Sequence, residues 1–270
     1  MDLDAYFARV GFNGARTPTF ETLRDLHLAH AQSIPFENLN PLLGWHVPLD
    51  LPSLEEKLVR SGRGGYCFEQ NGLLAAALRE LGFKVTGFAA RVLWNAPEGV
   101  LRPRTHMVLK VDLGGESYIA DVGFGGLTLT TPLRFVTDIE QPTAHEPFRL
   151  TKVGGDFQLD ARIGEAWKTL YRFDLQPQLP PDYEMANHYT ATFPTSHFRS
   201  MLIAALPVPG ARYALANNQL TIHHIGAPSE RRLLGSVGEV RQVLESTFGL
   251  TLPVAAELDP TLARVCGFQA

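Results

Sequence analysis

Cys67 stands in the stretch Arg63-Gly64-Gly65-Tyr66-Cys67-Phe68-Glu69-Gln70-Asn71, directly ahead of an apolar run. Phe68, Leu73, Leu74, Ala77, Leu78 and Leu81 recur at helical spacing, and Gly82 follows as a stop. The spacing predicts a buried helix with Cys67 in its first turn. The free N–H groups and positive dipole end of a helix N-terminus favour a thiolate over a thiol. The paired glycines let the chain turn tightly and let a substrate approach the backbone. Such a cysteine suits nucleophilic catalysis; taken alone it serves equally as a small buried hydrophobe.

A cysteine nucleophile needs a base and a group to orient that base. The stretch Arg104-Thr105-His106-Met107-Val108-Leu109-Lys110-Val111 reads as a strand, with His106 near its start. Gly114-Gly115 reads as a hairpin turn, and Tyr118-Ile119-Ala120-Asp121-Val122 as the return strand. His106 lies eight residues before Gly114 and Asp121 six residues after Gly115. Both therefore fall near the open end of one hairpin, within side-chain reach. Separately, each is a common strand-edge or turn residue.

These residues carry a resemblance to the arylamine N-acetyltransferase family. Arg63-Gly64-Gly65-Tyr66-Cys67 is similar to that family's nucleophile motif, Thr105-His106-Met107 to its histidine motif and Asp121-Val122-Gly123-Phe124-Gly125 to its aspartate motif. Tyr6-Phe7-Ala8-Arg9-Val10-Gly11 and Ile34-Pro35-Phe36-Glu37-Asn38-Leu39 match in the same order. The similarity is dense over the first half and thins after Pro132, although Asn187 to Phe198 still resembles the family. The resemblance implies a Cys67-His106-Asp121 triad of papain-like kind. It implies acetyl transfer from acetyl-CoA to an arylamine, arylhydroxylamine or hydrazine, by a ping-pong route through an acetyl-cysteine. Acetyl-CoA would be a co-substrate, with no cofactor held permanently and no metal.

The turn Gly123-Phe124-Gly125-Gly126 is a weak dinucleotide fingerprint, because no helix-forming stretch follows and Pro132 comes soon after. It reads either as a plain glycine turn or as a backbone-lined seat for the coenzyme's pyrophosphate or pantetheine arm. The resemblance favours the seat, formed by Thr105, Gly123, Phe124, Gly125 and Gly126. Phe36, Tyr66, Phe124, Phe193 and Phe198 are candidate aromatic walls of the acceptor pocket, though each also suits a core. Two further functions share the chemistry. A papain- or transglutaminase-like hydrolase would use water or a peptide as acceptor, and an amide synthase of macrolactam assembly would take its acyl group from a synthase. A non-catalytic binding module with a buried cysteine is the remaining alternative.

The elements that must position these residues divide the chain into three. Residues 1–83 read as helical and carry the nucleophile, with Thr19 as a helix cap. His27 and His30 share a helix face there; lacking acidic or cysteine companions, they read as solvated or capping rather than metal-binding. Pro35 to Pro41 breaks the helices, and Glu37 and Asn38 are expected to tie this loop to the cysteine helix. Residues 84–190 carry six short strand-like runs, at Val85–Trp94, Thr105–Asp112, Glu116–Val122, Phe148–Val153, Gly155–Ala161 and Ala166–Phe173. That spacing suits a small antiparallel barrel or sandwich. Residues 191–270 mix strands with one late helix, Ser236–Phe248. Together with the resemblance this gives an α+β fold: an N-terminal helical bundle, a central antiparallel β-barrel and a C-terminal α/β lid.

Composition bounds the function. Of 270 residues, 45% are hydrophobic and 19% charged, as in ordinary globular proteins. A net charge of −4 gives no electrostatic reason to expect nucleic acid. No apolar run approaches the roughly 18 residues of a membrane helix, and Met1-Asp2-Leu3-Asp4 lacks a signal-peptide pattern. Two cysteines, Cys67 and Cys266, exclude a disulfide framework. No nucleic-acid or membrane partner is therefore expected, the small-molecule partners are those the resemblance implies, and the expected compartment is the reducing cytoplasm.

Overall fold

The computed structural model describes residues 1–97 and 99–268. The helical part opens with α1 (Leu3–Val10) and α2 (Phe20–Ser33). Thr19 caps α2 as expected, its hydroxyl accepting the Thr22 N–H at 3.2 Å. The segment expected to be a loop contains a two-residue strand, β1 (Phe36–Glu37). Its partner lies near residue 205, so no local pattern announces it. Then follow α3 (Leu39–Leu43), α4 (Leu51–Leu54) continuing into a π-helical turn over Glu55–Arg60, and α5 (Cys67–Glu80). Gly82, at φ +88°, ends the last of these where the sequence places the stop.

The middle of the chain is β2 (Lys84–Val92), β3 (Arg104–Leu113), β4 (Glu116–Ala120), β5 (Leu133–Arg134), β6 (Phe148–Val153), β7 (Asp156–Ile163) and β8 (Ala166–Phe173). They form one antiparallel sheet in the order β5-β4-β3-β2-β8-β7-β6. The segment after β5 bridges back to β6 through Thr137–Leu150 and Gln141–Phe148, so the sheet curls into a nearly closed barrel rather than a sandwich. Gly114 and Gly115 have φ of +60° and +86°, the two left-handed positions of a tight hairpin turn. Leu113 therefore pairs with Glu116, and Leu109 with Ala120. Side chains alternate across these strands. Met107, Leu109, Val111, Tyr118 and Ala120 join the apolar cluster around α5. Val108 and Ile119 face the barrel interior. His106 and Asp121, each two positions along, follow that interior face.

The remainder holds α6 (Pro180–Thr192), β9 (Ile203–Val208), β10 (Ala211–Ala216), β11 (Gln219–His224), β12 (Glu230–Leu233), α7 (Val237–Ser246) and α8 (Ala255–Cys266). Its five-stranded sheet runs β1-β9-β10-β11-β12. Two helices correct the expectation of a single late one. Helix α6 runs across residues 190 and 191; its weak amphipathicity hides it, although Pro180-Pro181 at its start and Asp182 in its first turn are N-terminal signals. Helix α8 contains Pro260, which breaks the local pattern, yet buried Leu258 and Leu262 hold it to the core. Asn38 corrects another expectation. Its side chain reaches the carbonyls of Phe198 and Met201 at 2.8 and 2.7 Å and accepts the Ile203 N–H, fastening the helices to this last part instead of to α5.

Glu37 does tie its segment to the cysteine loop. Its carboxylate, fully buried, accepts Arg63 Nε at 3.0 Å and Nη2 at 2.7 Å. Lys57 lies 3.9 Å from Glu37 and 2.6 Å from Glu69. Glu69 in turn accepts the Tyr66 N–H at 3.1 Å, satisfying the amide just ahead of Cys67. Gly64 is squeezed between these groups: a Cβ there would stand 2.1 Å from the Pro35 carbonyl oxygen. Two carboxylates and two cations thus lock the loop that delivers Cys67. Breaking a buried ionic network by removing one partner costs about 3–5 kcal/mol. Glu37→Gln is expected to destabilise the protein by that amount in urea denaturation, whereas a loss under about 1 kcal/mol would show that these charges are effectively solvated.

Candidate active site

Cys67 is the first residue of α5 and only 5% exposed. Its Sγ lies 3.5 Å from the Thr105 carbonyl oxygen, one residue before His106. The His106 Nε2 donates to Asp121 Oδ2 at 2.7 Å, with both side chains buried. That bond leaves Nδ1 as the ring nitrogen not engaged by Asp121, and Cys67 is close enough to act on the charge of the imidazole. The structure therefore brings together the three residues singled out in the sequence.

Burial alone would strip the proton from His106; the charge of Asp121, the hydrogen bond to it and the neighbouring Cys67 overcome this and push the imidazole up to about 10. Burial likewise opposes ionisation of Asp121, but His106, Asn71 and the Gly123 N–H hold its carboxyl below the ordinary range. At neutral pH the pair is imidazolium and carboxylate. The ring sits edge-on to Phe124 at 5.3 Å and against Tyr171 at 4.8 Å, which fixes its plane. The Tyr171 hydroxyl is buried without a hydrogen-bond partner among the described residues. Burial, then the charge of Asp121, push this phenol far above its usual range, so it stays neutral.

Sequence reasoning missed the residues that hold this arrangement. Asn71, one turn along α5 from Cys67, donates to Asp121 Oδ1 at 2.9 Å and to the Met107 carbonyl at 2.8 Å, and accepts the Val122 N–H at 3.0 Å. It staples the helix of the thiol to the hairpin of the histidine and aspartate. Its spacing of four from Cys67 is a signal that the sequence offers. Gly123 makes the close approach possible, since a Cβ there would come within 2.7 Å of the Cys67 Cα.

His27 gives no such signal. It is fully buried, and its Nε2 accepts the Asp121 N–H at 3.2 Å. His30 bridges the Tyr6 hydroxyl and Gln70 Oε1, each at 2.8 Å. The expectation of solvated or capping histidines is thus wrong, because α2 turns this face inward. Burial keeps both neutral, His27 lowered to about 3 and His30 to about 4.

The proposed coenzyme turn is partly occupied by its own bonds. The Gly123 N–H donates to Asp121 Oδ1 at 2.9 Å and the Phe124 N–H to Thr128 Oγ1 at 3.3 Å. These two amides are therefore engaged within the turn. Thr128 also donates to the Asp121 carbonyl, and its own carbonyl accepts Arg212 Nη1 at 3.0 Å. Of the aromatic residues, Phe36 and Tyr66 meet Phe198 at 6.1 and 5.5 Å, and Phe124 meets His106. Phe193 is not among them: it is 42% exposed and stacks on Tyr189 at 4.5 Å.

A family model described as N-acetyltransferase matches residues 19–257. The chain is 46% identical over 249 residues to an arylamine N-acetyltransferase of Escherichia coli strain K12, covering 92% of this chain and 88% of that protein. It is 43% identical over 283 residues to one from Mycobacterium tuberculosis strain H37Rv, covering 100% and 99%. Its structure superposes on the Mycobacterium marinum arylamine N-acetyltransferase in complex with CoA with a TM-score of 0.95 and 40% identity, over 98% of this chain and 100% of that one.

The buried histidines set a pH dependence. His27 and His30 have folded pKa values below the unfolded one, so their contribution is complete above about 6.5 and is lost as pH falls. His106 runs the other way: its contribution is complete below about 6.5 and is lost as pH rises towards about 10. Glu69, pushed up by burial, also opposes the two neutral histidines just above its ordinary range. Comparing one variant with wild type isolates a single group. Between pH 5 and 6, the slope of unfolding free energy against pH should be about 1 kcal/mol per pH unit smaller in His27→Leu. An unchanged slope would mean that His27 is protonated in the folded protein.

Proposed function

The chain belongs to the arylamine N-acetyltransferase family, and on that premise we propose that it moves an acetyl group from acetyl-CoA to the nitrogen or oxygen of arylamines, arylhydroxylamines or hydrazines. The observation that carries this reading is the buried line Cys67–His106–Asp121, assembled from a helix N-terminus and a hairpin.

For the attack, His106 holds the proton and Cys67 acts as the thiolate. The sulfur attacks the acetyl thioester carbonyl, and the oxyanion would be met by the N–H groups of Cys67 and Phe68 at the start of α5, since those of Glu69 and Gln70 donate to the Tyr66 carbonyl. As the tetrahedral intermediate collapses, the C–S bond to the coenzyme breaks and His106 returns its proton to the leaving thiolate. An amine then attacks the acetyl-Cys67 carbonyl, His106 takes the amine proton, and Cys67 leaves as thiolate with the amide formed. Exchanging one thioester for another is nearly balanced in energy, so positioning rather than driving force limits the first half. Thr105 and Gly123 to Gly126 would flank the donor, and Phe36, Tyr66, Phe124 and Phe198 would line the acceptor side. Among the described residues no helix is long and apolar enough to cross a membrane. We place the reaction in the cytoplasm, where Cys67 and Cys266, both free, would stay reduced.

Cys67→Ser should fold as wild type and lose acetyl transfer by about 10³-fold or more, while Cys266→Ala remains active. Near-normal turnover by Cys67→Ser would sink the assignment. Acetyl-CoA varied at several fixed amine concentrations should give parallel double-reciprocal lines. Asp121→Asn should slow acetyl-enzyme formation by about 10²–10⁴-fold, equally for every amine, because the amide favours the wrong imidazole tautomer. Intersecting lines with an active Asp121→Asn would instead indicate direct transfer in a ternary complex.

A further inference from the structure

On the outer face of the barrel wall, away from His106, Arg91 of β2 pairs directly with Arg172 of β8. Their neighbours Ala90, Tyr171 and Phe173 point the other way, into the barrel core. Like charges directly opposed on adjacent strands repel and destabilise a sheet. The next strand places Gln158 opposite Arg172. Above this row Leu93, Ala96, Pro97 and Gly99 to Arg102 border a cavity of about 430 Å³, to which Thr169 is added from β8. That volume lies within the range of small-molecule sites, roughly 300–1,000 Å³.

Among the described residues the charges in this cavity are unbalanced. Among the described residues, Arg91, Arg102 and Arg172 make no salt bridge. Arg172 Nε is buried without a hydrogen-bond partner, and Arg172 Nη2 reaches only the Gln158 amide oxygen, at 3.3 Å. Arg91 Nη1 donates to the Arg102 carbonyl, which holds the loop over the row but leaves the guanidinium charge unmatched. Of the neighbouring carboxylates, Asp160 is buried, pairs with Arg149 and accepts Gln158 Nε2 and Thr169 Oγ1 at 2.8 and 2.9 Å, and Asp174 pairs with Arg104 at 2.6 Å. Glu98, the one acidic residue of the loop, lies outside the described residues. A buried guanidinium N–H left unpaired is costly, and the planar forks of arginine match phosphate oxygens two at a time. The Gly123 and Phe124 amides, already bonded within their own turn, offer an anion less.

We propose that this cavity binds a diphosphate-bearing anion, held by Arg91, Arg102 and Arg172, while Gln158 and Thr169 form its floor with their donors committed to Asp160. An anion there would cancel the cross-strand repulsion and fasten the loop to the barrel wall. The loop runs into β3 just ahead of Thr105, whose carbonyl meets Cys67, so occupancy would also steady the entrance strand of the site. The diphosphate has two possible sources, the nucleotide end of the acetyl donor or a separate phosphate compound. The first rests on the acetyl-transfer reading above; the second does not.

The test uses inorganic pyrophosphate on the full chain at fixed ionic strength. Pyrophosphate should raise the melting temperature of the wild-type protein beyond the effect of matched sodium chloride, and calorimetric titration should give a single site. Arg91→Gln with Arg172→Gln should weaken that binding about tenfold or more. Arg102→Gln, on the exposed loop and harmless to the barrel, should weaken it severalfold and covers the case in which the double variant folds poorly. Equal binding by wild type and Arg102→Gln, or no binding at all, overturns the site. None of these readings needs the protein to be active. The sources separate kinetically. If the acetyl donor fills the cavity, KM for acetyl-CoA rises severalfold in Arg102→Gln and about tenfold in the double variant with kcat unchanged, and a phosphate-free acetyl thioester reacts as with wild type. If both donors react as with wild type while pyrophosphate binding is lost, the occupant is a separate anion and the site stands.

Discussion

Opposite charges shut away from water must recover from each other, and from their neighbours, the several kcal/mol per ion that desolvation costs. His106 and Asp121 do so at 2.7 Å, with the second carboxylate oxygen satisfied by Asn71 and the Gly123 N–H. If the carboxylate lost these donors, the low-dielectric surroundings would favour proton transfer back from the ring and a neutral pair. A neutral imidazole would no longer stabilise a thiolate at Cys67. The charge state of the sulfur's partner therefore depends on how completely Asp121 is bonded.

Much of the architecture serves that condition. The two-glycine turn sets a register that puts His106 and Asp121 on the barrel-interior face, and the opposite face of the same strands packs on α5. Asn71 then needs only its position on α5 to reach both strands. Behind the helix, the Glu37–Arg63–Lys57–Glu69 quartet fixes the loop before Cys67 in the direction that α5 must start. From the other side α2 supplies neutral His27 as an acceptor for the Asp121 amide, without placing a second positive charge next to the pair. Arg212, through Thr128, extends the same bracing to the last third of the chain.

The legible parts of the sequence are those where one local rule decides. Helical spacing after Cys67 gave α5, Gly114-Gly115 gave the hairpin, and counting from that turn placed His106 and Asp121 together. Six of the seven barrel strands could be read to within a few residues because each is bounded by turn residues; the two-residue β5 was missed, since it exists only by pairing with β4. The illegible parts depend on partners far away in the chain. The two-residue strand at Phe36 exists only because β9 lies beside it, and Asn38 turns towards Phe198 and Met201 for the same reason. His27 and His30 looked like surface residues because a single helix does not say which other element will cover it. Helix α6 is nearly uniform in polarity, so periodicity is silent there. Phe193 looked like a pocket wall by residue type, but its place at the end of α6 leaves it outside.

The contact between Gly123 and the start of α5 has a consequence for synthesis. Chains emerge from the ribosome N-terminus first, at about 5–20 residues per second. Cys67 and its helix are thus made some three to ten seconds, roughly, before Asp121 and Gly123 can dock against them. During that interval the growing chain carries a thiol with no imidazolium beside it, and the seat that would hold a thioester carbonyl is missing its second wall. The nucleophile is switched on by completion of the hairpin, so a stalled or truncated chain ending before Gly123 would not carry an assembled acyl-transfer centre.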